Sequence, residues 1–211
     1  MKVMFCRLFI LALAVISSSA FGNTWKSWRG DNDAGAATEG TFPAKLDEST
    51  LKWKLALPGK GCSTPIVWND RIYLTTPDRK KDVVMAIDWD GNELWRKEIG
   101  DGRKGKHQNG SGTNPSAATD GTYLFAYFKS GNLAGLDMKG EVLWQTNLVE
   151  EYGNYKLYWD MGTSPVVTKH YVVVAVMHGG DSFLAAFDKA TGDLKWKVNR
   201  TFETPTEGDQ L

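Results

Sequence analysis

The chain has 211 residues, enough for one domain by length, and 42 % of them are hydrophobic, as is usual for globular proteins. Its 25 basic and 25 acidic residues give a formal net charge of zero at pH 7. Nucleic acids and anionic membranes attract proteins that carry a basic face, so this balance argues against either as the main partner.

Residues 1–22 are typical of a secretory signal peptide. Lys2 and Arg7 supply a positive start, residues 8–16 form a short apolar core, and residues 18–20 are small enough for a cleavage site. A membrane span needs about 20 apolar residues, roughly twice this run. We therefore predict export to the periplasm or the exterior and no membrane span. Without Lys2 and Arg7 the chain has 23 basic and 25 acidic residues.

Residues 23–62 form an N-terminal segment that precedes the repeats described next. Within it, the stretch LKWKLALPG, residues 51–59, matches the pattern with which each repeat ends. We predict one lone strand around Trp53 that closes a ring with strands from elsewhere in the chain. Cys62 follows this stretch and has no Cys-x-x-Cys partner, so we expect a buried or half-buried side chain and no disulfide.

Three copies of one pattern follow, at residues 63–99, 113–148 and 163–198, and a trailing segment continues to residue 211. Each copy begins near a proline, and Pro65, Pro115 and Pro165 are 50 residues apart. Each copy then has an aspartate, a glycine and a tryptophan in the same order: Asp88, Gly91 and Trp95; Asp137, Gly140 and Trp144; Asp188, Gly192 and Trp196. Near-constant spacing of four residue types indicates an internal structural repeat.

Each copy is predicted to form four short β-strands. In the third copy these are residues 165–168, 171–177, 183–187 and 194–198, which are rich in β-branched and aromatic residues and too short for typical helices. The aspartate ends the third strand, where its carboxylate can accept backbone N–H groups of the turn. The glycine supplies a positive φ angle in that hairpin, and the tryptophan can cover the seam to the next sheet.

A four-stranded antiparallel unit of 40–50 residues is typical of a β-propeller blade. We therefore predict an all-β fold with about three blades, which is fewer than the usual four to eight and leaves the ring incomplete. The expected explanation is an N-terminal fragment of a protein roughly twice as long. A short protein that closes its ring by oligomerising is the alternative.

The segment AFDKATGDLKW, residues 186–196, resembles the repeat of the pyrroloquinoline-quinone (PQQ)-type propellers. The opening WKSWRGDNDAG, residues 25–35, is similar to the start of exported bacterial members of this family, with Asp31 where proline is usual. The resemblance implies a β-propeller fold. It leads to two branches: quinoprotein dehydrogenases that bind PQQ and calcium on the ring axis, and cofactor-free propellers, such as the outer-membrane-assembly factor BamB, that bind proteins.

The dehydrogenase branch carries a vicinal Cys-Cys pair against the quinone, and this sequence has no such pair. We therefore predict a binding or assembly scaffold without cofactor, whose partner is a protein or another cell-envelope component. The alternative is a PQQ-dependent oxidoreductase, or another enzyme, with its site on the propeller axis. No Ser/His/Asp or Cys/His set can be assembled, so the sequence favours a non-enzymatic role without deciding it.

Four residues in loops are candidates for contact with a partner: His107, His178, Tyr155 and Trp159. Loops at propeller faces are where binding residues tend to lie. The histidines have no His or Cys at metal-ligand spacing, so no metal site is predicted, and ordinary solvated histidines remain the alternative. The aromatic loop at residues 150–160 either grips a partner or covers a gap between blades.

Overall fold

The computed structural model of the protein describes residues 24–37, 43–157 and 159–200. All three copies of the repeat lie inside these ranges. The predicted signal peptide lies outside the described residues, as does the part of the trailing segment from residue 201 onward.

Twelve strands and one short helix make up the described structure. Blade 1 contains β1 (Ile66–Trp68), β2 (Arg71–Asp78), β3 (Lys81–Asp88) and β4 (Glu93–Asp101). Blade 2 contains β5 (Ala118–Thr119), β6 (Tyr123–Tyr127), β7 (Asn132–Asp137) and β8 (Val142–Asn147). The helix α1 (Leu148–Tyr152) follows. Blade 3 contains β9 (Val166–Val167), β10 (Tyr171–Val176), β11 (Phe183–Asp188) and β12 (Leu194–Asn199).

The three sheets confirm the predicted all-β propeller fold. Each copy of the repeat is one four-stranded antiparallel sheet with its strands in sequential order. The third strands of blades 1 and 2 are almost continuously buried because other side chains cover both of their faces. Within the described ranges the three blades do not close a ring.

A β-bulge recurs at the same place in every blade. The pairing of the third and fourth strands shifts between Ala86 and Ile87, between Gly135 and Leu136, and between Ala186 and Phe187. The extra residue in each case is the one before the repeat tryptophan. A bulge re-aims the side chain beside it, so the same backbone irregularity orients all three tryptophans.

The hydrophobic core lies in the seams between blades. One cluster joins blades 1 and 2 and includes Tyr73, Phe128 and Leu136. A second joins blades 2 and 3 and includes Trp144 and Phe187. Each blade is therefore stabilised mainly by its neighbours, as is typical of stacked repeats.

The helix α1 is the element that the all-β prediction did not contain, since the sequence pattern assigned Leu148 to the end of a blade. Asn147 caps it: its Oδ1 accepts hydrogen bonds from the N–H groups of Val149 and Glu150, both at 3.0 Å. Asn147 also ends β8, so the cap turns the chain directly out of the sheet into the connection to blade 3.

In the N-terminal segment, residues 51–57 form no strand with the described residues, and the predicted ring-closing strand around Trp53 stays a prediction. Trp53 and Leu55 pack on the face of blade 1 opposite blade 2, against a cluster that includes Val83 and Met85. Cys62 was expected to be buried or half-buried, but it is an exposed free thiol, whose Sγ lies 3.5 Å from the carbonyl oxygen of Asn109.

Earlier in the same segment, Trp25 and Lys26 reach the innermost strands of blades 1 and 2. Trp25 exchanges two backbone hydrogen bonds with Val67, of 2.8 and 3.0 Å, and the carbonyl of Lys26 accepts from the N–H of Thr119 at 2.9 Å.

The topology gives each blade two distinct ends. The motif end carries the β3–β4, β7–β8 and β11–β12 turns, which contain the repeated aspartates and glycines. The loop end carries the connections between blades, at residues 102–117 and 148–165, and the β2–β3, β6–β7 and β10–β11 turns. The four candidate partner-facing residues all lie at the loop end.

Candidate binding surface

The repeated aspartates organise the turns at the motif end. Oδ1 of Asp88 accepts from the N–H groups of residues 90 and 92, at 2.9 and 2.8 Å. Asp137 accepts in the same way from residues 139 and 141, and Asp188 from residues 190 and 191. Side-chain hydrogen bonding to Asn92 and these backbone bonds hold the pKa of Asp88 below its usual value, and the backbone bonds do the same for Asp188.

The repeated glycines adopt positive φ angles of +85° at Gly91, +91° at Gly140 and +75° at Gly192. A second constraint acts on the same positions, because an indole of the preceding segment lies directly on each glycine. A Cβ atom at Gly192 would lie 2.5 Å from the ring of Trp144. Both backbone conformation and contact therefore require glycine.

Three tryptophans lie on the glycine turn of the following blade: Trp53 on Gly91, Trp95 on Gly140 and Trp144 on Gly192. Nε1 of Trp53 donates to the carbonyl of Trp89 at 2.7 Å, and Nε1 of Trp144 donates to the carbonyl of Lys189 at 2.9 Å. In both turns the acceptor is the residue directly after the repeated aspartate. The indole thus contributes apolar contact and one hydrogen bond.

Trp95 departs from this pattern, because its buried Nε1 has no hydrogen-bond partner among the described residues. The equivalent acceptor is the carbonyl of Met138, one residue after Asp137. That oxygen accepts instead from Nη1 of Arg71 at 3.2 Å and from the hydroxyl of Tyr73 at 3.5 Å. Arg71 and Tyr73 thus donate to the carbonyl that is equivalent to the indole acceptors in the turns of blades 1 and 3.

Trp196 lies on β12, and its side chain is 39 % exposed. Leu194 and Val198 on the same strand are 45 % and 58 % exposed. The docking expected of Trp196 has no counterpart here, because no described blade follows β12 and supplies a glycine turn.

At the loop end, Asp160 joins the two connections between blades. Its carboxylate accepts from the backbone N–H of Lys106, at 2.8 and 2.9 Å, and from that of His107 at 3.3 Å. Nζ of Lys129 forms an ion pair with it, and the Asp160 side chain is only 2 % exposed. Burial raises the pKa of Asp160, but Lys129 and the backbone donors outweigh burial and hold the pKa below its usual value.

His107 and Trp159 contact each other beside these contacts of Asp160 with Lys106, His107 and Lys129, which we call the loop-end clamp. Their ring centroids are 5.1 Å apart in an edge-to-face arrangement, and the Trp159 side chain is 56 % exposed. Because the backbone N–H of His107 is fixed by Asp160, this pair presents an aromatic group on a backbone that is held in place. Such preorganised aromatic groups are suited to partner binding.

Tyr155 and His178 occupy the seam between blades 2 and 3. Their rings are 5.4 Å apart, and the Tyr155 hydroxyl forms a hydrogen bond with the hydroxyl of buried Tyr127. Burial raises the pKa of Tyr155 to about 12 and lowers that of His178. Tyr152 packs edge-on against Phe183 in the same seam. Of the two interpretations of the aromatic loop, coverage of a gap between blades describes Tyr152 and Tyr155.

A buried polar network, not found from the sequence, joins blades 1 and 2 near the loop end. Asp82 is 1 % exposed and accepts from the hydroxyl of Ser130 and from Nδ2 of Asn132 at 2.9 Å. Nδ2 of Asn147, the α1 cap, donates to Oδ1 of Asn132 at 2.8 Å. Burial raises the pKa of Asp82 to about 6. Only the fold shows these contacts, because the partners are about 50 residues apart in sequence.

Metal-binding clusters and membrane-spanning helices are both absent from the described ranges. No group of three or more His, Cys, Asp and Glu side chains there could hold a metal ion. Within the same ranges, no helix has the length and apolar character needed to cross a membrane.

The family model described as "Outer membrane protein assembly factor BamB" matches residues 44–209, more than three quarters of the chain. The chain belongs to this family. The match confirms the resemblance of residues 186–196 to the PQQ-type repeat, in its BamB-like form. No curated relative matches the sequence.

Solved structures with the same fold include a quinohemoprotein alcohol dehydrogenase from Comamonas testosteroni, with a TM-score of 0.54 and 20 % identity over 83 % of this chain. A second is the quinohemoprotein alcohol dehydrogenase ADHIIG from Pseudomonas putida HK5, with a TM-score of 0.53 and 25 % identity over 70 % of this chain. BamB from Moraxella catarrhalis matches at a TM-score of 0.41 and 21 % identity over 62 % of this chain. The chain spans 27 %, 22 % and 33 % of these three proteins, respectively.

Proposed function

We propose that this chain is part of an exported scaffold that binds a protein of the cell envelope and serves its assembly. The observation that carries the proposal is the family match over residues 44–209, whose description is that of an assembly factor. The signal-like sequence at residues 1–22 supports export to the periplasm or beyond. A fold alone does not determine a function, and a scaffold must also present a surface suited to binding.

The loop end of blades 1 and 2 offers such a surface. Trp159 exposes more than half of its side chain, and its contact residue His107 is held through its backbone by the buried Asp160. Tryptophan is enriched among residues that dominate binding energy at interfaces. A rigid support lowers the entropic cost of binding because the exposed group is already ordered. We infer that the partner contacts this end of the propeller.

The second candidate is a PQQ-dependent oxidoreductase, which the fold shared with quinohemoprotein alcohol dehydrogenases favours. Calcium takes six to eight oxygen ligands, usually with several carboxylates. In the part of the chain that the structure describes, no cluster of acidic, His and Cys side chains meets that need, and the sequence lacks a vicinal cysteine pair. The described residues do not fit a calcium-bound quinone.

Photo-crosslinking in the envelope of a producing cell tests the first proposal. A photoreactive phenylalanine derivative replaces Trp159 in the full-length protein, and the same replacement at Trp89 is the matched control. Trp89 is also exposed, at 43 %, but it lies at the motif end. We expect a defined protein adduct from position 159 and none from position 89. Equal labelling from both positions, or none from either, would contradict a loop-end binding site.

Titration of the same protein with PQQ and calcium tests the second candidate. Stoichiometric binding, followed by absorption, together with alcohol-dependent reduction of a dye would replace the scaffold proposal with the oxidoreductase. Absence of binding at micromolar PQQ, with a crosslinked partner at position 159, would support the scaffold.

A further inference from the structure

A basic cleft lies at the loop end of blade 1. It is formed by residues 58–60, the β2–β3 turn and residues 102–112, and its volume is about 400 Å³. Six cationic residues line it: Lys60, Arg79, Lys80, Lys81, Arg103 and Lys104. Asp82 is the one carboxylate among the described lining residues. The whole chain has equal numbers of acidic and basic residues, so six cations in one cleft are a local concentration of charge.

Most of this charge is not neutralised by neighbouring carboxylates. Lys81 pairs with Asp101 at 2.7 Å, but no ion pair within the described ranges involves the other five cations. Nζ of Lys60 donates to a backbone carbonyl, and Nη1 of Arg103 donates to the neutral amide of Asn154 at 3.0 Å. The positive potential of the cleft therefore reaches the solvent, where it can attract an anionic group.

Asp82 does little to offset that potential. Its side chain is turned into the interior, where Ser130 and Asn132 donate to it, and the residue is only 1 % exposed. Because the carboxylate is satisfied by these neutral donors of blade 2, it is not available to the lysines of the cleft.

The walls of the cleft favour an extended peptide as the anionic ligand. Pro58 and Pro77, both partly exposed, supply apolar surface. His107 is also part of the lining and contacts the exposed Trp159 at 5.1 Å. Cations, apolar patches and an aromatic rim match a peptide that carries acidic residues beside apolar ones. A nucleic acid would call for a basic stripe over a whole face.

We propose that this basic cleft docks an acidic segment of a protein partner, whose carboxylates contact Arg79, Lys80 and Lys104. The inference rests on the proposed scaffold function and adds the chemistry of the partner. In a crowded envelope, such charge complementarity would speed the encounter and select the partner, while the Trp159 rim supplies apolar contact.

Binding of a fluorescein-labelled peptide of Glu, Asp and Leu to the purified full-length protein, followed by fluorescence polarisation, is the test. The cleft variant is Lys80→Glu/Lys104→Glu. The control is Lys139→Glu/Lys169→Glu, which makes the same charge change at two exposed lysines of the β7–β8 and β9–β10 turns, both at the motif end. We expect the cleft variant to bind at least about tenfold more weakly, which corresponds to about 1.4 kcal/mol, and the control to stay within about twofold. Affinity of the wild type should fall as salt rises.

Three results would overturn the inference. Equal losses in both variants would mean that overall charge, not the cleft, attracts the peptide. Equal binding of a peptide with Gln and Asn in place of Glu and Asp would exclude recognition of carboxylates. Tighter binding of a DNA oligonucleotide of equal charge would make the cleft a nucleic-acid site. The neutral variant Lys80→Gln/Lys104→Gln, with an unchanged thermal melt, separates lost binding from lost folding.

Crosslinking from position 159 in the cleft variant separates this inference from the proposed function. If the same adduct forms in undiminished yield, the cleft does not dock the partner, but the scaffold function stands. If the wild type itself gives no adduct and reduces dye with PQQ, the scaffold function fails. Loss of the adduct only in the cleft variant supports both.

Discussion

Trp144 and Trp196 occupy the same position of the same repeat, yet only Trp144 is buried. Each pairs with the third strand next to a β-bulge, Trp144 opposite Gly135 and Trp196 opposite Ala186. Trp144 is 9 % exposed because it lies on the Gly192 turn of the next blade, whereas Trp196 is 39 % exposed. The repeat motif therefore determines where the indole points, and the neighbouring blade determines whether it is buried.

Truncation of the two indoles should give the largest difference. We expect Trp144→Ala to lower the free energy of unfolding by about 3–5 kcal/mol, because it empties a site in the core between blades 2 and 3. Trp196→Ala should cost about 1 kcal/mol or less, as is typical of partly exposed positions. Urea unfolding of both variants measures the two values.

Equal losses of unfolding free energy in the two variants would contradict the difference between the two indoles. They would mean that the indole stabilises its own sheet rather than the seam. A loss for Trp196→Ala that depends on protein concentration would instead show that a second molecule covers β12.

The seam between blades 1 and 2 should show a pH dependence that the open face of blade 3 lacks. Burial raises the pKa of Asp82 to about 6, above its unfolded value of 3.8. Between these pH values the folded state binds more protons at Asp82 than the unfolded state does. The contribution of Asp82 to stability therefore falls as pH rises from about 4 to 6 and stays constant at higher pH. A shift of this size corresponds to roughly 2–3 kcal/mol.

Asp82→Asn should remove this contribution, since its amide keeps an oxygen for Asn132 and never ionises. Urea unfolding at several pH values from 4 to 7.5 gives the measurement. The difference between variant and wild type should grow with pH up to about 6, in favour of the variant. Asp193→Asn, at an exposed site in the outer turn of blade 3, is the control. A pH-independent difference for Asp82→Asn would refute the raised pKa.

Most of the fold could be predicted from the sequence because the signals are local and repeated. The 50-residue spacing of the three prolines fixed the number of blades, and the strands of the third copy agree with the structure to within two residues. The turns could be predicted equally well, because they depend on a short segment alone. In each, an aspartate accepts from N–H groups two to four residues further on, and a glycine adopts a positive φ angle.

Contacts between blades were much harder to predict from the sequence. Trp68, at the end of β1, lies on Gly121 of blade 2, yet nothing in the spacing of the repeat pairs these two residues. The Asp160–Lys129 pair and the Asp82 network join residues from different blades or connections, and their burial follows from the stacking alone. The strand predicted at Trp53 follows from analogy with the repeat and stays a prediction, since a strand also needs a neighbouring strand to pair with.

The clamp at the loop end should be weaker than the apolar seam but still measurable. Asp160→Asn leaves the Lys129 ammonium, which is 12 % exposed, without its carboxylate. We expect a loss of about 2 kcal/mol, less than for a fully isolated buried charge, because the carbonyl of Lys104 still accepts from Nζ of Lys129 at 2.9 Å.

Hydrogen exchange gives the readout specific to that clamp, since the amides of Lys106 and His107 donate to Asp160. Those two amides should lose protection in Asp160→Asn while the amides of β11 keep theirs. Uniform loss across both regions would indicate general unfolding rather than a released connection.

The smallest expected effect distinguishes the two buried seams from each other. Trp144→Phe removes an N–H that donates to the carbonyl of Lys189 and leaves that carbonyl without the indole donor, whereas Trp95→Phe removes an N–H that has no partner among the described residues. We expect Trp95→Phe to cost about 1 kcal/mol less than Trp144→Phe in urea unfolding.

Freeing the Met138 carbonyl should remove the difference in cost between Trp95→Phe and Trp144→Phe. In the double variant Arg71→Met/Tyr73→Phe, both groups that now donate to this carbonyl are gone, so Nε1 of Trp95 can donate to it as Trp144 does to Lys189. Adding Trp95→Phe to this background should then cost as much as Trp144→Phe does alone. If the cost stays low, the geometry of the seam rather than competition for the acceptor keeps Nε1 of Trp95 from pairing with the described residues, and the two seams differ in backbone position rather than in side chains.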